Sequence, residues 1–151
     1  MVNALRRAAQ VLRPGGHLVD IQPADTYLPR LALIAGGRRV VLGEIRRERD
    51  PSIHAAHRAR RAVVAERLLA DVGSTHGRWV SVYRSLGELR FLLRQNTNWR
   101  LDGALAHRLT AAWRRRSPGT LIEVRQTYSL AIFRAPASPA QHLRRPRRRY
   151  L

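Results

Sequence analysis

Apolar residues open the chain at helical spacing. Leu5, Ala8, Ala9 and Leu12 stand at i, i+3, i+4 and i+7, which predicts a helix over residues 4–12 with one apolar face. Asn3 is placed to cap it, because its side-chain oxygen can accept an orphan backbone N–H. Pro14 blocks continuation, and Gly15-Gly16 allow a tight reversal. "HLVDIQP" (17–23) then predicts a strand, mostly buried through Leu18, Val19 and Ile21 and ended by Pro23. "ADTYLPR" is a loop. "RLALIAGGRRVVLGEI" (30–45) sets two apolar, β-prone runs around Gly36-Gly37, which is a hairpin signal.

Asp50-Pro51 predicts a helix start, with the carboxylate as cap and proline at the first helical position. Ile53, Ala56, Val63, Val64, Leu68, Leu69 and Val72 would form its inner stripe to about Val72, and Gly73 would stop it. "RWVSVYR" (78–84) alternates as a strand does. Ser85 and Glu88 form a capping box for a helix over 86–95. Leu101, Leu105, Leu109, Ala112 and Trp113 predict another helix over 101–116, with Trp113 in the core. "PGTLIEVRQTYSLAIFRAP" (118–136) reads as one long strand or two short ones.

Composition narrows the class. The hydrophobic fraction of 44% over 151 residues is enough for one domain with a real core. The expected domain spans 1–136. The tail at 137–151 has little to bury and is expected to be a disordered basic segment. There is no Cys, so disulfides, thiolate metal sites and cysteine nucleophiles are excluded. No apolar run has the length of a signal peptide or a membrane span, so the expectation is a cytoplasmic protein without a membrane partner. The net charge is +19, from 29 basic and 10 acidic residues, and every basic residue is Arg. A surface selected for phosphate normally uses Lys as well, so the arginine excess reads more simply as compositional bias. Nucleic-acid binding is compatible with the charge but not favoured by it.

The helix "ALRRAAQVL", the turn Leu12-Arg13-Pro14-Gly15-Gly16 and the strand "HLVDIQP" together resemble class I S-adenosylmethionine-dependent methyltransferases. There, such a turn leads into the fifth strand of a seven-stranded sheet, and a terminal strand pair follows. "TLIEVRQTYSLAIFRA" is similar to that pair. The resemblance implies a partial Rossmann-like α/β sheet with helices, whose N-terminal cofactor-binding half is missing. It implies methyl transfer from S-adenosylmethionine to a small-molecule acceptor, with the chain inactive alone. No G-x-G occurs, and Asp20 lies within a strand, so no residue here is assigned to the cofactor. The implied partner is a missing N-terminal half, or a second copy of the chain. The competing class is a basic protein that binds nucleic acid or an acidic partner.

Gln22, Asp25 and Tyr27 follow the carboxyl end of the predicted strand, where open α/β sheets place their ligands. They are the candidate acceptor-binding residues, although an ordinary polar loop is the plainer account. His54 and His57 are three apart on a helix, but neighbouring Arg58, Arg60 and Arg61 would repel a cation, so no metal is expected. The run "AWRRRS" (112–117) offers phosphate ligands, or simply cations matched to a helix C-terminus.

Overall fold

The computed structural model describes residues 2–24, 26–48 and 51–137. In chain order the elements are α1 (Val2–Val11), β1 (His17–Pro23), β2 (Arg30–Ala35), β3 (Arg38–Glu44), β4 (Arg46–Arg47), α2 (Pro51–Ala65), β5 (Ala70–Tyr83), α3 (Leu86–Gln95), β6 (Trp99–Arg100), α4 (Gly103–Arg114) and β7 (Leu121–Arg134). The fold is mixed α/β with an antiparallel sheet, in the order β1–β7–β2–β3, with β5 also paired to β7. β4 and β6 make a separate two-residue ribbon. The expected cap Asp50 and the tail from residue 138 lie outside the described residues. Among the described residues no helix is long and apolar enough to cross a membrane. Two compact units divide the chain, one drawn from Met1–Ile21, Ser52–Thr75 and Leu130–Leu151, the other from Gln22–Pro51 and His76–Ser129.

In the first unit, α1 packs through Leu5, Ala9 and Leu12 onto a core of Val63, Leu69, Ala131, Phe133 and Ala135. The Pro-Gly-Gly turn is tied to the end of β7. Gly15 N–H is shared between Ala135 O at 3.2 Å and Pro136 O at 3.3 Å, and Ala135 N–H donates to Gly16 O at 2.8 Å. Gly15 has φ +74, and a Cβ on Gly16 would stand 2.9 Å from Arg13 O, so both glycines answer to geometry. β1 forms where expected, but it is not mostly buried. Leu18 joins the core, whereas Val19 is 51% and Ile21 60% exposed. The strand alternates because one of its faces packs and the other does not. On the packed side, Arg60 from α2 donates through Nε to Asp20 Oδ2 at 2.6 Å and through Nη2 to Asp20 O at 3.2 Å.

α2 ends at Ala65, short of the expected Val72. Leu68 N–H bonds Val63 O at 3.0 Å and Arg67 N–H bonds Val64 O at 2.9 Å, the paired closure of a Schellman motif. Arg67 takes the left-handed position, φ +57, that glycine usually fills. The strain is offset by turning Leu68 and Leu69 into the same core as Val63. Gly73, the expected stop, instead lies inside β5, which runs longer than the predicted 78–84.

In the second unit, β2 and β3 form the predicted hairpin, with Gly36 at φ +52 and Gly37 at φ +75, as a tight primed turn requires. Leu31 and Leu33 of β2 and Ile122 and Val124 of β7 meet Leu105, Leu109 and Trp113 of α4, with Leu89 of α3 and with Ile45 and Trp99. The ladder skips a residue: Leu31 faces Gly43 and Ala32 faces Val41, so Leu42 is bulged out. Arg108 of α4 takes the bulged carbonyl, with Nε 2.9 Å from Leu42 O. A Cβ on Gly43 would lie 2.9 Å from Arg108 Nη2 and 3.0 Å from Leu105 Cδ1, so glycine there lets α4 approach β3. α3 spans the predicted 86–95, with Ser85 Oγ accepting from Glu88 N–H at 3.1 Å. α4 is capped by Asp102, which accepts from Leu105 N–H at 2.7 Å. The ambiguous segment at 118–136 is one strand, β7.

Two stability predictions follow from these packing details. Arg67→Gly should raise stability by about 0.5–1 kcal/mol, the relief of left-handed strain net of glycine's extra unfolded freedom, read as a higher urea midpoint. Gly77→Ala should lower it by about 1–3 kcal/mol, because a Cβ there falls within the Tyr128 ring. Adding Tyr128→Ala should recover much of that loss.

Candidate functional site

The loop after β1 is pinned by its backbone. Ala24 is buried, its N–H donates to Thr127 O at 3.0 Å, and its carbonyl accepts from Arg47 Nη2 at 2.8 Å. Gln22 is half-buried at the strand end, and Tyr27 is 50% exposed. The Tyr27 ring meets His76 of β5 edge-on, with centroids 5.7 Å apart and planes at 73°. Asp25 lies outside the described residues. So the structure brings Tyr27 to His76, a pairing no local pattern announces, since 49 positions separate them. Tyr27 carries a phenol hydroxyl and His76 an imidazole, groups that can each hydrogen-bond a polar ligand.

The described residues do not fit S-adenosylmethionine. The family holds it on a glycine loop between a strand and a helix. Here Gly15 follows a helix, Gly36 and Gly37 turn a hairpin, and Gly43 and Gly73 lie within strands. Gly87 and Gly103 each stand singly in a first helical turn, where the Ser85 and Asp102 side chains already take a backbone N–H. Among the described residues no group of three or more His, Cys, Asp or Glu could hold a metal ion.

No protein-family model, curated protein or solved structure matches the chain. Most described carboxylates are committed to arginine. Arg6 clasps Glu66 with two hydrogen bonds, Arg30 meets Glu44 at 3.2 Å, Arg46 meets Asp102 at 3.4 Å, and Arg100 meets Glu48 at 3.4 Å.

Among the described residues the most buried carboxylate is Glu123 of β7, its side chain 5% exposed. It stands opposite Ala32, on the sheet face away from the Leu33–Ile122 pair that packs on α4. Arg39 of β3 donates to it through Nε at 2.7 Å, and Arg125 approaches within 3.3 Å. Burial pushes this carboxyl up, but the hydrogen bond and charge of Arg39, with those of Arg125, outweigh it and hold the group below the ordinary carboxylate range. This triad ties β3 to β7 across β2.

Among the described residues Arg38, Arg115 and Arg116 have no carboxylate partner. They surround a cleft of about 460 Å³ between the β2–β3 hairpin tip and the end of α4. Leu33, Val40 and Ala112 line its apolar part. The Arg116 guanidinium lies 4.2 Å over the Trp113 ring and donates to Trp113 O at 2.9 Å, while Arg115 Nε donates to Ala111 O at 3.3 Å. The run at 112–117 therefore caps its helix, as the plainer reading expects, and also lines a cavity. The sequence signal for the cleft was that run alone; Arg38 is brought to it only by the hairpin.

Glu123→Gln should cost about 2 kcal/mol or more at pH 7, since it strips two guanidinium groups of a buried anion. The carboxyl is lowered by folding, so its stabilisation is full above the unfolded carboxylate pKa and fades as pH falls through the folded value. The difference in urea midpoint between the natural chain and Glu123→Gln should therefore shrink on acidification to about pH 3.

Proposed function

We propose that this chain is the C-terminal portion of a class I S-adenosylmethionine-dependent methyltransferase with a small-molecule acceptor. The observation that carries the reading is the arrangement around β1. A helix ending in Leu-Arg-Pro-Gly-Gly leads into β1, and the long last strand β7 lies beside it. Ala135 bonds Gly16 at one end of β1 and Ala24 bonds Thr127 at the other, so the two strands run antiparallel. The Pro-Gly-Gly turn is the point where α1 is fastened to that last strand.

On this reading the Rossmann-like remainder of the sheet comes from an N-terminal half, in the same polypeptide or another. Two features support that partner. β7 is the strand paired with β1 among the described residues, leaving the other edge of β1 open. Val19 and Ile21 present an uncovered apolar face. In the family the equivalent strand is central and has a neighbour on each side. An open edge and an apolar face together favour pairing with another strand, from such a half or from a second copy.

The chain's own contribution is then on the acceptor side. Gln22 lies at the carboxyl end of β1, Asp25 and Tyr27 follow it in sequence, and Tyr27 touches His76. Their role is to bind and orient the acceptor, and the Tyr27–His76 pair can accept its proton. The half that supplies the glycine loop supplies the cofactor contacts. With no Cys in the chain, a cytoplasmic setting fits this reading.

Sedimentation and calorimetry test the reading together. The chain alone should self-associate or aggregate, and Ile21→Lys should shift it toward monomer. It should show no micromolar binding of S-adenosylmethionine, and adding the N-terminal half of a class I methyltransferase in trans should yield a soluble complex. A stable monomer of the natural chain at high concentration, or micromolar cofactor binding without any partner, would overturn it.

A further inference from the structure

The cleft at the hairpin tip combines an apolar wall with a cationic rim. Its walls are apolar at Leu33, Val40 and Ala112, and Val40 is 58% exposed although it sits on the same sheet face as the core. Its rim carries Arg38, Arg115 and Arg116, all solvent-exposed. Three guanidinium groups around one cavity repel each other in a chain already at +19. In this unit Arg39, Arg46 and Arg100 are each matched by an acid, whereas among the described residues the three at the cleft are not.

The guanidinium groups are also partly fixed. Arg116 is stacked on Trp113 and hydrogen-bonded to its carbonyl, and Arg115 is held to Ala111. Each uses one N–H on the helix end, which leaves the remaining donors of its fork for another acceptor. Pre-positioned forks lose little freedom when they close on an oxyanion. At the cleft's inner end, Thr120 is 7% exposed, and its hydroxyl donates to Ser117 O at 2.7 Å. That bond firms the turn between α4 and β7, so the cavity is bounded by a hairpin and a braced turn.

We infer that this cleft binds a small organic anion, a phosphate or carboxylate head on an apolar body, with the head held by Arg38, Arg115 and Arg116 and the body laid on Leu33, Val40 and Ala112. A volume of about 460 Å³ suits a ligand of that kind. A bare inorganic anion would leave the apolar wall wet. A nucleic-acid backbone would use the charge but not the cavity. The inference stands on the charges and the cavity alone and does not depend on the methyltransferase reading.

Titration calorimetry on the whole chain tests it with phenyl phosphate, inorganic phosphate and a short single-stranded oligonucleotide as probes. Phenyl phosphate should bind saturably at one site and at least tenfold more tightly than inorganic phosphate. Arg38→Gln should weaken that binding at least tenfold. Arg38 makes no side-chain hydrogen bond or ion pair with the described residues, so the change should leave the fold intact, as circular dichroism would report. Val40→Asp should abolish the preference for the phenyl ester. Arg90→Gln on α3, an exposed arginine that does not line the cleft, should leave binding unchanged. Equal weakening by Arg38→Gln and Arg90→Gln would overturn the proposal in favour of diffuse charge attraction. So would phenyl phosphate binding no better than inorganic phosphate, or oligonucleotide binding that phenyl phosphate cannot displace.

Discussion

A strand with a neighbour on both sides must pair the backbone groups of both its edges, and β7 carries that demand for this chain. Its first half pairs with β2 through Ile122, Glu123 and Val124, and Ile122 and Val124 build one core with α4. Its second half supplies Ala131 and Phe133 to another core, with α1 and α2. Its end receives the Pro-Gly-Gly turn through Ala135. Each hydrophobic cluster is thus nucleated on a different stretch of one 14-residue strand. A break in β7 would remove a wall from both.

Charge is the second organising constraint. Ten acidic residues cannot neutralise 29 arginines, so where each carboxylate goes decides which arginines stay free. Asp20 goes to Arg60 and fixes α2 beside β1; Glu123 goes to Arg39 and Arg125 and locks three strands together. Desolvation costs each buried partner, so losing one of a pair leaves an uncompensated buried charge and is expensive, whereas the exposed Arg30–Glu44 pair contributes little. The arginines left over are not all equivalent. Arg38, Arg115 and Arg116 converge on a cavity.

Elements set by nearby residues were legible in the sequence. The α1–turn–β1 unit, the hairpin around Gly36-Gly37, and α3 behind Ser85 and Glu88 form where the patterns put them, because capping, proline and glycine geometry act within a few residues. The end of α2 was not legible: an arginine holds the left-handed position, and what makes that tolerable is the burial of Leu68 and Leu69 against Phe133's cluster, far along the chain. Nor was the exposure of Val19 and Ile21, since an apolar strand does not say how many of its faces are covered.

The site divides in the same way. The sequence by itself determined that helices and strands mix in one chain, the charge excess, the lack of cysteine chemistry, and the polar segment around the end of β1 that includes Gln22 and Tyr27. Only the tertiary structure decided that Tyr27 meets His76, that Glu123 is sunk between two arginines, and that Arg38 joins Arg115 and Arg116 around a cavity. The reason is physical. Secondary structure is fixed by interactions a few residues apart, whereas these groups are brought together by strand pairing and core burial between segments dozens of residues apart, which no local pattern encodes.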